Sequence, residues 1–521
     1  MKNKIAIIGS GLTSLAAAKR LIENNFDVTI LDVGKELPKG INDLVKEASQ
    51  TEPILWKKRT REKLSQNPTV EEKKIPKKLL YGSDYMYSDE LDFLNDKNKK
   101  IDAASTYAKG GYSKIWGAAM LPADIKDLDT WPVKTRNLDK HYKRVLQEMP
   151  LTGEDGDSEI FPNHKNKLST LRISPKSNYL YNKLKQNISK KNNFSCIKSR
   201  LAIYGDDYKK GCKYCGLCLN GCPYDLIFNS SIEFDNLIKK RKLKYINNAF
   251  VNSYIEENDF VKVFYKNLKT NSMVQMQFNK IFIAAGAIGS TLLFLKSNKI
   301  HNKKIKFLDS QKYVFPIFSL RKFNININDS NTLCDIFIDF KIRKISNFWN
   351  HIQVSDLNDW ITGKLGLNNF KSIKFKLFKP ILERLSIGWG GLHSKLSKNF
   401  FLVLSEDSSY KLLDEKNLFT KLHIIKVLFF LLFKNLKNKV IFLPYFISSN
   451  IGGGCHYGGS IPMKTKPKNA FEADMLGRPY NHKNVHIIDA TILPSIPSTT
   501  IALLTMANAD RIICKTFDFR V

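Results

Sequence analysis

The chain has no apolar run that approaches the roughly 20 residues a membrane-spanning helix needs. Its most apolar stretch, Val427–Phe433 (VLFFLLF), stops at Lys426 on one side and Lys434 on the other. It carries no basic arm, zinc finger or RNA-binding signature, so nucleic acid is not an expected partner. Acidic residues are scarce: 49 Asp and Glu against 83 Lys and Arg leave a net charge of +34. That excess attracts anionic lipid and phosphorylated substrates, although a general abundance of Lys, Asn and Ile accounts for part of it. There is no internal repeat and no long disordered tail. With 43% hydrophobic and 25% charged residues the chain is globular. Its 521 residues allow two domains, or one large domain with an inserted lobe.

Cysteine is sparse and unevenly placed. Of eight, four fall within Cys212–Cys222; the others are Cys196, Cys334, Cys455 and Cys514. So tight a cluster in so long a chain argues against a disulfide scaffold. The N-terminus, MKNKIAIIGSGLTSLAAAKRL, has the basic start and apolar run of a signal peptide but no convincing cleavage site. The expectation is a cytoplasmic protein.

That N-terminus has a better reading. Lys4–Gly9 (KIAIIG) is a short β-branched run, the composition of a buried parallel strand. GSGLTS follows at Gly9–Ser14, then the helical LAAAKRLIENN, then a second strand, FDVTILD, ending at Asp32. Gly9 permits a tight turn, and Gly11 lets the backbone approach a pyrophosphate. The helix N-terminus then presents free N–H groups to the negative charge. Asp32 lies 21 residues after Gly11, where a carboxylate accepts ribose hydroxyls. The third glycine of the usual pattern is replaced by a small residue, Ser14. These features leave FAD and NAD both open.

Three further stretches occur in order: YAKGGYSKIWGAAMLP at Tyr107–Pro122, FNKIFIAAGAIGST at Phe278–Thr291, and VHIIDATILPSIPSTTIALLTMANA at Val485–Ala509. Before the last comes NIGGGCHYGGSIPM, residues 450–463, with one histidine among five glycines. Together these resemble the glucose–methanol–choline (GMC) flavoprotein oxidoreductases over roughly half of the chain. The resemblance implies FAD, an α/β Rossmann-like FAD-binding domain discontinuous in sequence, and an α+β substrate domain with an antiparallel sheet. It implies that Gly9, Gly11 and Asp32 hold the ADP half of FAD, and that Gly110, Gly111 and Ser113 line a flavin-proximal loop. It places Gly286 by the cofactor, and Asp489 and Ala490 near the pyrophosphate or ribityl chain. His456 matches the histidine that faces the flavin. Oxidising an alcohol removes a hydroxyl proton and transfers a hydride, and an imidazole suits the proton step. The family's second His or Asn is replaced here: Thr500 falls nearest that position, with Thr499 beside it. A threonine hydroxyl is a poor base, so the expectation is single-base chemistry on His456 with Thr500 orienting the substrate oxygen.

Residues 211–223, GCKYCGLCLNGCP, space Cys212, Cys215, Cys218 and Cys222 as C-x2-C-x2-C-x3-C-P, the bacterial ferredoxin run. In two-cluster ferredoxins the fourth cysteine ligates the other cluster. Here Cys222 folds back, or Cys196 or Cys455 completes the set. Zinc on four thiolates and a metal-free structural loop are the other readings. A [4Fe–4S] cluster would make the protein a dehydrogenase that passes electrons to an acceptor protein rather than to oxygen.

The expected organisation is an FAD-binding domain from 1–310, with a lid-like excursion at 35–80 and the cysteine loop at 205–225. A substrate domain at 311–447 and a return to the FAD-binding domain at 448–521 follow. PIFSLRKF, LCDIFIDF, HIQVSDL and NFFLVLS read as strands of the substrate domain, and WKKRTREKLSQ reads as a helix in the excursion. Phe370–Leu385 and Lys421–Phe446 mix large apolar residues with lysines. They either cover the substrate domain's core or lie on an anionic membrane surface. The expected substrate is a small alcohol or sugar. A reductase or isomerase of a sugar-lipid or polyprenyl substrate, and a non-catalytic membrane-associated electron-transfer subunit, are the alternatives.

Overall fold

The computed structural model describes residues 4–65, 79–88, 91, 94–96, 100–154, 162, 167–185, 193–325, 331–358, 362, 373–415 and 419–520. Part of the 35–80 excursion and Phe370–Ser372 therefore lie outside the described residues.

Both termini feed one parallel sheet. Its strands run in the order Val485–Ile487, Lys280–Ile283, Lys4–Ile8, Asp27–Leu31 and Lys244–Ile246, and every pairing is parallel. Ile5, Ile7, Val28, Ile30, Ile281 and Ile283 are fully buried, as strands covered on both faces require. Helix Leu12–Glu23 follows the first strand and packs on the C-terminal helix Ala502–Thr516. Arg20 clamps them together: its Nε donates to Asp510 at 2.7 Å, and Asp510 also meets His141 Nδ1 at 2.6 Å.

A second, antiparallel sheet runs Val440–Phe442, Lys312–Ser319, Leu385–Gly391, Asn350–Ser355, Ile336–Phe340 and Phe194–Lys198. Each of the four stretches expected as strands contributes to one, PIFSLRKF only through Pro316–Ser319. Phe400–Leu404, however, joins a separate sheet with Ile305–Asp309, Tyr410–Asp414 and Tyr457–Gly458. The strand Phe194–Lys198 enters the antiparallel sheet from well before residue 311. Alternation divides the strand Lys312–Ser319: Tyr313, Phe315 and Ile317 pack with helix Phe419–Asn435, and Val314 and Phe318 with helix Ile373–Leu382.

The described part of the excursion forms helices Lys39–Ser49 and Lys58–Leu64. It packs on the cysteine loop. Arg61 donates to the Cys215 carbonyl at 3.1 Å, Lys213 pairs with Glu52 at 2.9 Å, and Trp56 stacks on Tyr224.

Candidate active site

The C-terminal ends of the parallel strands open onto a cavity of about 280 Å³. Gly9 follows the strand Lys4–Ile8 at φ +98°, and a Cβ there would lie 2.5 Å from the Ala284 carbonyl oxygen. Only glycine lets the turn after Lys4–Ile8 approach the end of the neighbouring strand Lys280–Ile283 so closely. Gly11 caps the helix at an ordinary φ of −69°. A Cβ on Gly11 meets no protein atom within 4 Å, and the same holds for Gly286, which caps helix Ala287–Ser297 at φ +78°. Two helix N-termini thus face the same cavity with bare backbone, the geometry that receives phosphate.

Asp32 lies on the wall, half-buried. It accepts from Ser10 Oγ at 2.5 Å and Tyr245 OH at 2.7 Å. Burial pushes its pKa up to about 6, against the pull of these two donors. Ser10 Oγ also accepts from the Gly110 N–H at 2.8 Å, so the second glycine loop hangs from the first. Gly110 (φ +87°) and Gly111 (φ +56°) are both left-handed. A Cβ on Gly111 would sit 3.6 Å from the Gly11 Cα. Ser113 Oγ donates to the Gly110 carbonyl at 2.6 Å and accepts from the Ser230 N–H at 3.0 Å. Asp489 accepts from Ser290 Oγ at 2.5 Å and from the Thr491 N–H at 3.0 Å, which fixes Ala490 on the wall.

Gly9, Gly11, Asp32, Gly111, Ser113, Gly286, Asp489 and Ala490 therefore share one cavity. Gly110 stands behind it. Ser14 does not reach it: it is fully buried inside the first helix, in keeping with a small residue where helix packs on sheet.

The histidine loop arrives from the other side. Cys455 (φ +54°, exposed) and Tyr457 (buried) both line the cavity. His456, half-buried between them in the chain, is not itself on the cavity's wall, and neither is Thr500; the His456 carbonyl accepts from the Ser310 N–H at 2.9 Å. The Thr500 hydroxyl donates to the Ala119 carbonyl at 2.9 Å. Its proton is spent on the fold, and only its acceptor capacity remains. The neighbouring Thr499 hydroxyl is buried with no hydrogen-bond partner among the described residues.

Lys312 is the residue the sequence did not signal. A Cβ on Gly454 would meet its Cγ at 2.7 Å, and one on Gly391 its Nζ at 2.6 Å; Nζ reaches the Ser498 carbonyl at 3.5 Å. It therefore lies between the histidine loop and the turn that holds Thr500. Burial lowers its pKa to about 8, countered by Asp309, whose own pKa burial raises to about 7. Across the sheet the register places Lys312, Gly391, His351 and Asp339 in one row, and His351 Nδ1 meets Asp339 Oδ1 at 2.7 Å.

Of the candidate fourth cluster ligands, Cys455 lines this cavity and Cys196 is buried in the antiparallel sheet. A compact His141–Asp510–Cys514 group lies among the helices. Arg20 and Arg144 already supply its positive charge, so it is a packing network rather than a metal centre.

No family model and no curated protein sequence matches the chain. Solved structures do: 613 chains match. One is the crystal structure of pyridoxine 4-oxidase from Mesorbium loti: TM-score 0.60, 11% identity, 100% of both chains covered. At that identity the likeness is one of fold. The chain shares the fold of that oxidase along its whole length.

Proposed function

We propose that this chain is an FAD-dependent oxidoreductase acting on a CH–OH group. The observation that carries the reading is the cavity wall. Gly11 and Gly286 bare their backbones to it at two helix N-termini, and Asp32 offers a carboxylate where a ribose would lie. Residues Gly9, Gly11 and Asp32 would hold the adenosine-diphosphate end. Gly110, Gly111, Ser113, Gly286, Asp489 and Ala490 would hold the remainder. Bound flavin supplies a hydride acceptor, chemistry no side chain here provides.

The protein's own share is binding, orientation and the proton. His456 takes the hydroxyl proton as general base. Lys312, at the seam between the histidine loop and the Ser498–Thr500 turn, holds the substrate oxygen through Nζ. Its depressed pKa leaves it charged below about pH 8. Thr500 keeps the turn seated on Ala119. The finer reading is a dehydrogenase whose electrons leave to a partner protein by way of the cysteine loop.

The test is anaerobic mixing of the purified protein with a panel of sugars, polyols and lipid-linked alcohols. Bleaching of the bound flavin by an alcohol supports the reading. Bleaching by an external reductant alone, with every alcohol inert, overturns the CH–OH assignment.

A further inference from the structure

The cysteine run is built as a ligand loop. Cys215 and Cys218 are buried, and Cys212 and Cys222 are half-buried. All four thiols are free. Left-handed backbone at Tyr214, Gly216 and Gly221 curls the loop on itself. A Cβ on Gly221 would strike Leu80 and the Tyr81 ring at 2.7 Å, so that turn is pressed against a dry wall. Cys215 and Leu217 belong to one apolar cluster with Leu80, Tyr81 and Ile115. A backbone N–H is turned on one sulfur: Leu226 donates to Cys222 Sγ at 3.4 Å. Apolar enclosure and N–H···S bonds are how proteins hold and tune thiolate-bound clusters.

The spacing of the run, C-x2-C-x2-C-x3-C-P, is that of the ferredoxins, which favours a cubane over zinc. Cys218 and Cys222 also line a second cavity, of about 230 Å³, whose wall includes Ser113 of the cofactor-site loop. We propose that Cys212, Cys215, Cys218 and Cys222 bind a [4Fe–4S] cluster, next to the proposed flavin site. The assignment stands on the loop itself and can fail while the flavin reading survives.

The experiment is metal and sulfide analysis of the full chain, purified or reconstituted without oxygen, with an electron paramagnetic resonance spectrum after dithionite. The expected result is about four iron and four sulfide per chain. Cys212→Ser and Cys215→Ala should each lose most of the iron while circular dichroism stays that of the parent, and Cys196→Ser should keep it. One zinc per chain, or no metal after reconstitution, overturns the proposal. So does iron retained by both loop variants.

An independent observation concerns helix Phe419–Asn435. Phe419, Leu422, Lys426, Phe429, Phe433 and Leu436 are exposed, and steps of three and four place them in one stripe along it. The opposite side, with Ile424, Val427, Leu428 and Leu431, is buried on the antiparallel sheet. From Phe419 to Lys439 there is no acidic residue, and Lys421, Lys426, Lys437 and Lys439 are exposed. Among the described residues no helix is long and apolar enough to cross a membrane. A second copy of the chain on this stripe would set lysine against lysine, whereas anionic headgroups complement both the apolar stripe and its lysines. We infer that this face lies on an anionic bilayer.

Cosedimentation of the full chain with phosphatidylcholine vesicles, with and without phosphatidylglycerol, tests it. Binding should require phosphatidylglycerol and weaken with salt. It should fall at least ten-fold in Phe429→Glu/Phe433→Glu, and roughly five-fold for each of Lys421→Gln and Lys426→Gln. Equal binding to neutral vesicles, no binding at all, or a stripe variant that only converts a dimer to a monomer overturns the inference.

Discussion

Two neighbouring glycines should fail in opposite ways. Gly11→Ala introduces a methyl group that touches no protein atom within 4 Å, at a φ of −69° that any residue adopts. Losing glycine at a helix cap costs up to about 1 kcal/mol. Restricting the unfolded chain returns about 0.4–1 kcal/mol. The stability of the flavin-free protein should therefore stay within about 1 kcal/mol of the parent. The methyl would instead occupy the space where a pyrophosphate approaches the helix, and bound flavin should disappear. Gly9→Ala places its methyl 2.5 Å from the Ala284 oxygen at φ +98°. Left-handed backbone costs roughly 1–2 kcal/mol and overpacking roughly 1–3 kcal/mol. This variant should lose about 2–5 kcal/mol of stability. The assay is denaturant unfolding of the flavin-free chains, alongside flavin content from the visible spectrum. A Gly11→Ala protein that keeps a full complement of flavin would refute the placement of the cofactor. So would a Gly9→Ala protein as stable as the parent refute the packing argument.

Three further outcomes are expected. His456→Ala should slow alcohol-driven flavin reduction by about 10²–10⁴-fold without loss of flavin; an unchanged rate in rapid mixing removes His456 as the base. Thr500→Val should cost about 1 kcal/mol for the bond to Ala119 and change turnover only a few-fold; a hundred-fold loss in steady-state assays returns Thr500 to the chemistry. Lys312→Met should weaken substrate saturation most below pH 8, where Lys312 is charged. Its folded pKa of about 8 lies below its ordinary 10.5. Its charged form therefore costs stability at neutral pH, and that cost fades as pH rises from 8 toward 10.5. Denaturant unfolding across that range should show the rise in the parent and not in Lys312→Met.

The features legible in the sequence were those that depend on neighbours in the chain. Gly9, Gly11 and Asp32 sit on a strand–turn–helix–strand unit whose spacing alone places them, and the cysteine run likewise carries its own geometry. What could not be read comes from contacts between distant segments. Ser10, in the first glycine turn, and Tyr245, on the strand Lys244–Ile246, hold Asp32 together. Lys312 opens an ordinary alternating strand, and only the approach of Gly391, Gly454 and Ser498 makes it part of a site. Nothing near Thr500 in sequence hints that Ala119, far away in the chain, accepts its hydroxyl proton. The polar 35–80 excursion gives no hint in sequence that its described part rests on the cysteine loop, through Arg61 on a helix and Glu52 and Trp56 in the connection before it.

The measurement that bears most directly on the central claim is the identity and amount of cofactor released when the purified chain is denatured. The expected result is FAD at about one per chain, bound by the glycine loops at Gly9–Gly11 and Gly110–Gly111 and by Asp32. A chain that releases no flavin after reconstitution with FAD, or that binds NAD in its place, contradicts it.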